Sequence, residues 1–277
     1  YETADLIKLL HNGIIGDLKK AEAYYNNNRP RVPNQIKAPI PDGLDWSLFQ
    51  GPSKRKHYTF NTWDYNWRWY GWDFGTGEAG NNATHELDIA RWALGVHYPE
   101  SVDVYSSKNH FIDDGWTMYD TMEAKFHFPN NLKIDWNCHS RNAHHNKTMG
   151  GRGTIIYGSI GSALVSRNGY TVYDLNGKEI KNSISGDKES STQLGGGGNM
   201  TTKHFRNFFN SIRSGEVLNS PINDAVISQS MVHYANLAHR SGKSFKIDSR
   251  NGNILDSKIK KKFWSREYEK GWNLNFV

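Results

Sequence analysis

Apolar residues recur along this chain in two rhythms. Leu6, Ile7 and Leu10 are spaced as one face of a helix, which predicts a short amphipathic helix from Ala4 to Leu10 stopped by Asn12-Gly13. Leu87, Ala90, Arg91 and Leu94 repeat that period between Asn82 and Leu94, with Gly95 as the stop. Two later segments do so again. Thr202 to Arg213 carries Phe205, Phe208, Phe209 and Ile212, and Asn223 to Arg240, behind Pro221, carries Ala225, Val226, Met231, Ala235 and Leu237. Strand-like runs are predicted at Leu18 to Tyr25, Ser101 to Ser107, Met118 to Phe128, Leu132 to Ser140, Gly153 to Gly158, Ala163 to Ser166 and Tyr170 to Leu175. Pro129-Asn130-Asn131, Asn168-Gly169 and Asn176-Gly177 supply turns between neighbouring strands.

Two stretches break the pattern. Residues 26–80 hold five prolines with aromatics between them, and read as a long loop crossing the surface near a site. Residues 182–199 read as a polar linker ending in Gly195-Gly196-Gly197-Gly198. The order of helix, strand, long loop, helix, many strands and two helices predicts an α+β fold. Its sheet is large, open and mostly antiparallel, with helices packed on one face.

A hydrophobic fraction of 36% and an aromatic fraction of 13% exclude a disordered chain. The net charge of +6 is mild, and basic residues concentrate only at Lys258-Ile259-Lys260-Lys261-Lys262 and at Arg29 and Arg31. The first reads as a solvated helix face, so no nucleic-acid partner is expected. No stretch approaches the roughly 20 apolar residues of a membrane span, and no signal peptide is recognisable. The first residue is Tyr rather than Met, which reads as a processed or truncated product. The compartment therefore stays open between cytoplasm and periplasm. A single cysteine, Cys138, excludes an intrachain disulfide and reads as a buried thiol in an alternating run.

Candidate chemistry gathers where the aromatic loop meets the second helix. Gly75 to Gly80 is formally G-x-G-x-x-G, but Trp, Tyr, Asp and Gly precede it instead of a β-branched strand, so it does not read as a dinucleotide fingerprint. His85 and Asp88 stand one turn apart beside Asn81 and Asn82, while Glu86 points elsewhere. A histidine oriented by a carboxylate suits proton transfer to or from a hydroxyl or carbonyl oxygen; the same pair also serves as a purely structural bond. Arg29, Arg31 and Arg141 suit an anion or a sugar hydroxyl. Trp63, Trp67, Trp69 and Trp72 either stack on a sugar ring or fill the core. His139, His144 and His145 lack a recognised ligand spacing, so no metal is expected. Neither a G-x-S-x-G elbow nor a G-x-x-x-x-G-K-[ST] loop occurs.

Several blocks resemble the Gfo/Idh/MocA oxidoreductases, above all their sugar-related bacterial branch. They are Asn12-Gly13-Ile14-Ile15-Gly16-Asp17, Pro41-Asp42-Gly43-Leu44-Asp45-Trp46, Asn66-Trp67-Arg68-Trp69, Gly77 to Trp92, and His204-Phe205-Arg206-Asn207-Phe208. The resemblance implies a parent of two parts, an N-terminal Rossmann domain for NAD or NADP and a C-terminal domain for substrate. Residues 1–277 resemble the second as a single substrate-binding and oligomerisation domain, without the nucleotide-binding glycine loop or the E-K-P segment. By resemblance, His85 matches the catalytic histidine, Asn81 falls where many members carry aspartate, and Asp88 matches the next acidic position. The implied substrate-binding residues are Arg29, Arg31, Trp67, Trp69 and Arg141.

The implied activity of the parent is hydride exchange between NAD or NADP and a sugar or cyclitol hydroxyl, with no cofactor held by this chain alone and no activity expected of it alone. NAD-dependent glycoside hydrolysis and a non-catalytic sugar-binding or assembly module are the alternatives. A homodimer or homotetramer formed through the sheet is expected.

Overall fold

The structure, a computed structural model, describes residues 2–144, 150–167, 169–184 and 198–272. Its strands form where apolar side chains alternate. β3 (Thr121–His127) buries Met122, Ala124 and Phe126 and turns Glu123 and Lys125 outward, and β4 (Lys133–His139) buries Ile134, Trp136 and Cys138 in the same way. The other strands are β1 (Leu18–Asn26), β2 (Ser101–Ser107), β5 (Arg152–Gly158), β6 (Gly161–Ser166), β7 (Gly169–Asp174), β8 (Glu179–Ile184) and β9 (Phe245–Lys246). Among the described residues they make one sheet of order β8-β7-β6-β5-β1-β4-β3-β2-β9. Neighbours are antiparallel except β1 and β4, which run parallel with Ala23 opposite Trp136.

Helices cover one face. α1 (Glu2–His11) brings Leu6, Ile7 and Leu10, α3 (Thr84–Leu94) brings Leu87, Ala90 and Leu94, and α5 (Ile222–Ser241) brings Met231, Val232 and Ala235 to a common core with β1, β3 and β4. α3 ends where Gly95, at φ 63°, lets its amide bond back to the Arg91 and Trp92 carbonyls. The opposite face is polar: Lys20 meets Asp135 at 2.7 Å, and Asn137 donates to Glu22 at 2.8 Å.

The expected α+β sheet is present, and so is the helix under the Lys258–Lys262 run, α6 (Ser257–Phe263). Its N-cap Asp256 accepts from the Lys258 and Ile259 amides, and Ile259 is its buried residue. Three features differ from expectation. β8 occupies the start of the expected linker, an edge strand whose Glu-Ile-Lys-Asn-Ser-Ile sequence carries no alternation; residues 185–197 of that linker lie outside the described residues, as do His145 and Asn168. α4 (Gly198–Ser214) shows its apolar stripe to solvent, with Phe205, Phe208, Phe209 and Ile212 all exposed.

The loop over 26–80, finally, is firmly anchored. It contains α2 (Trp46–Gln50), capped by Asp45, and its Val32, Trp69 and Tyr70 form a second apolar cluster with Trp116 and Met118 from beyond β2. The C-terminal segment straps it, with Arg266 donating to the Asp73 carbonyl at 2.8 Å and Glu269 accepting from the Arg55 amide at 3.0 Å.

Candidate active site

α3 starts without a side-chain cap because it continues from a π-helical turn, Ala79–Ala83. The polar side chains of that turn face a buried charge instead. Glu78 is 0% exposed, and its carboxylate accepts from Arg29 Nε at 2.7 Å, from Asn81 Nδ2 at 2.9 Å and from Asn82 Nδ2. A carboxylate removed from water requires partners of this kind. Arg29 also donates to the Tyr25 hydroxyl at 3.0 Å and the Tyr65 hydroxyl at 3.1 Å. Burial alone would lower the Arg29 pKa; Glu78 overrides that and holds it firmly charged. Asn81 Oδ1 accepts from Arg68 Nε at 3.1 Å, so the amide bridges a cation and an anion.

A second buried carboxylate, Glu86, lies about two turns further on. Glu86 accepts from Arg152 Nε at 2.8 Å, while Arg152 Nη1 donates to Asn82 Oδ1 at 3.0 Å. Asn82 thereby links the two acids. Burial raises the Glu86 pKa, and Arg152 offsets only part of that rise.

His85 stands between these charges and solvent. Its side chain is exposed, yet the surrounding protein displaces enough water to lower its pKa, and the Arg152 and Arg167 guanidiniums lower it further. Asp88 works weakly in the other direction. The result is an imidazole that is neutral at neutral pH, open to a ligand and fixed at the start of a rigid helix. Such a group can take up the proton of a hydroxyl.

The structure joins Asn81, Arg29 and Trp69 in one network and sets His85 against its Arg152 end. Asp88 is not part of it. Ser228 Oγ donates to Asp88 Oδ1, and Arg91 Nη2 lies 4.0 Å from the same oxygen. Among the described residues His85 makes no hydrogen bond, so Asp88 does not orient it as the helical spacing suggested. Glu86, which the same spacing turned away, is the carboxylate that faces inward; it occupies the core-facing stripe with Leu87 and Ala90.

Arg141 is committed internally. Its side chain is 0% exposed, pairs with Asp114, donates to the His110 and Pro30 carbonyls at 3.1 and 3.2 Å, and lies 4.4 Å from the Trp116 ring centroid. Trp69 is 2% exposed, with Trp116 stacked at 4.1 Å and Arg29 at 4.8 Å, which leaves no ring face for a sugar. Arg31 is exposed and pairs with Asp113 at 2.9 Å, and the half-buried Trp67 carries Arg68 over its ring at 4.3 Å.

Sequence reasoning missed Glu78 and Arg152, gave Asn82 no role, and turned Glu86 the wrong way. Two signals were available. Glu86 falls on the apolar period of its helix, and Arg152 has the parity of Thr154 and Ile156 on the helix-covered face of β5. A charge at a core position announces a partner.

The Gly75–Gly80 segment does not suit a dinucleotide. A Cβ on Gly75 would meet the Arg68 backbone at 2.6 Å, and one on Gly80 would collide with the Thr76 side chain. These glycines let the chain approach itself, leaving no open cradle for a diphosphate. The residues of this segment therefore do not fit that cofactor.

A nine-stranded, mostly antiparallel open sheet with one helix-covered face and a polar network at the ends of β1 and β5 makes this an α+β domain. The sequence of residues 7–247 matches the C-terminal alpha/beta domain of the Gfo/Idh/MocA oxidoreductase family, and the chain belongs to that family. No curated protein matches it. Among solved structures, the chain is similar to aldose-aldose oxidoreductase from Caulobacter crescentus, complexed with glycerol, at 15% identity and a TM-score of 0.56, covering 88% of this chain and 60% of that one. It is similar to myo-inositol 2-dehydrogenase from Lactobacillus plantarum at 15% identity and a TM-score of 0.55, covering 89% and 62%. An oxidoreductase from Agrobacterium radiobacter, in complex with NAD+, L-tartaric acid and magnesium, aligns at 14% identity and a TM-score of 0.55, covering 88% and 61%. The chain thus spans 60 to 62% of the length of these structures, and at such identity the likeness is one of fold.

Proposed function

We propose that this chain is the substrate-binding and oligomerisation domain of an NAD(P)-dependent oxidoreductase that acts on a sugar or cyclitol hydroxyl. The observation that carries this reading is His85, an exposed imidazole at the start of a rigid helix, whose pKa partial desolvation and two guanidiniums push down. Membership of the oxidoreductase family supports the reaction class, and fold neighbours named for aldose and myo-inositol chemistry support the substrate class. The nicotinamide is a requirement that another part of the parent would meet.

In this reading His85 accepts the hydroxyl proton as the alcohol is oxidised and returns it in reduction. The Glu78 network fixes the turn from which α3 departs, and so fixes the ring. Arg31 and Trp67, which both reach solvent, are the remaining candidates for substrate contact. The polar open face of the sheet is the surface through which copies would pair. Sedimentation of the chain as a monomer at micromolar concentration would remove that part of the proposal.

The activity is tested in the intact parent by His85→Ala, expected to lower turnover by about 10²- to 10⁴-fold. Turnover unchanged by that substitution would remove His85 from the reaction. Net accumulation of NADH with free sugars distinguishes oxidation from glycoside cleavage, which releases an aglycone without it.

A further inference from the structure

α4 is built inside out. The residue it buries is Asn207, whose amide nitrogen donates to Glu216 at 2.8 Å and to the Val217 carbonyl at 2.9 Å. Its side-chain oxygen accepts from the Asn219 amide at 2.9 Å. An asparagine therefore pins the helix to the turn that leads into α5. The apolar stripe looks the other way. Phe205, Phe208 and Phe209 are each about half exposed and Ile212 is 69% exposed. The Phe209 ring lies 6.1 Å from Phe205 and 5.6 Å from Phe208, so the three make one surface. Val217 in the turn, and Ile222 and Val226 on the first turns of α5, are exposed as well. An amphipathic helix ordinarily turns such a stripe to the core, and a large aromatic patch left outside marks a surface that another body covers.

The molecule limits what that body is. The chain matches 60 to 62% of the length of the structures it resembles, and its family model is that of a C-terminal domain. The remainder of such a parent joins at α1, which packs on α3 and β7 and so enters on the helix-covered face of the sheet, not the open one. A backbone hydrogen bond lowers the Glu2 pKa, and the Lys203 ammonium of α4, close enough to act on the same carboxylate, lowers it further. The entry of α1 thus lies beside the first half of α4. A second copy fits less well. α4 carries Lys203, Arg206 and Arg213 and no acidic residue, so pairing with itself would set like charges together.

We infer that the outward stripe of α4 seats the part of the parent that precedes this domain, through an apolar patch on that part rimmed by carboxylates. The seat adjoins the candidate site. On α5, Ser228 and Gln229 bond Asp88 and Thr84 of α3, so the start of α5 abuts the helix start that carries His85. A body seated across α4 and the start of α5 would stand beside that imidazole. The inference does not depend on the chemistry proposed for it.

The test compares amide hydrogen exchange over residues 202–213 in this chain and in the intact parent, each at low and high micromolar concentration. In the parent these amides should exchange roughly tenfold more slowly than in the chain, at both concentrations. Phe205→Asp combined with Phe209→Asp should abolish that extra protection in the parent. The same pair should leave the thermal midpoint of this chain unchanged, because both rings face water, and the melt verifies that the variant folds. A photoreactive benzophenone side chain at position 208 of the parent should cross-link to peptides upstream of Tyr1.

Equal exchange in chain and parent, or protection that survives the double substitution, would overturn the inference. Protection of the chain alone that grows with concentration, or cross-links from position 208 to residues 1–277 of another copy, would overturn it in favour of self-association. None of these results bears on turnover through His85, which is read separately.

Discussion

Asn81 is explained by its neighbour Glu78. Its amide nitrogen donates to the buried carboxylate while its oxygen accepts from Arg68. An aspartate, the residue to which the family resemblance points at this position, would lose the donor and set a second negative charge against the first. Arg68 would offset part of the cost. Asn81→Asp is therefore expected to destabilise the fold by about 1–3 kcal/mol, read by urea denaturation. The same local view bears on His85. Its pKa lies below the ordinary 6.5, so the acid limb of kcat/KM in the parent should fall at a pH below 6.5. An acid limb above that value would mean that another group limits the reaction.

The loop from β1 to α3 is the element that departs most from its sequence pattern. Its prolines and aromatics read as irregular, and its backbone largely is. Its order comes from ion pairs and stacked rings whose partners lie far along the chain: Arg29 with Glu78, Trp69 with Trp116, and the Val32 amide with Asp114. Spacing reveals local periods, as in β3 and α3, but no period encodes a partner eighty residues away. For the same reason Arg152 and Glu86 were invisible as a pair, although each stood at a core-facing position. His85 and Asn81 were legible because the motif that holds them is short.

The keystone of the loop is testable. Burial alone would raise the Asp114 pKa, yet hydrogen bonds from Arg141, Lys108 and the Val32 amide outweigh it and hold it at about 2. Asp114→Ala would strand the buried Arg141 and is expected to cost about 3–5 kcal/mol, measured by chemical denaturation.

Summed over the protein, these charges set a pH dependence of stability. Desolvation lowers the pKa of His85, His233 and His239, so between their folded values and 6.5 the unfolded chain binds more protons than the folded one. Stability should therefore decline as pH falls through 6.5. Glu86 opposes this closer to its ordinary 4.5, because its raised pKa makes the folded form the better proton acceptor there. Thermal melts across pH 7.5 to 5 should show the decline, and a flat or rising midpoint would contradict it. The single double substitution His233→Gln with His239→Gln should flatten the slope while sparing His85.

The position of β1 has a further consequence. The first strand of this domain takes the middle of the sheet, where Lys20 must wait for Lys133 on one side and Tyr25 for Arg152 on the other. Until both partners are synthesised, β1 presents two unpaired edges, and hairpins such as β2–β3 can form without it. Nascent chains halted before β5 should therefore be aggregation-prone and protease-sensitive, and resistance should arrive abruptly once β5 has emerged.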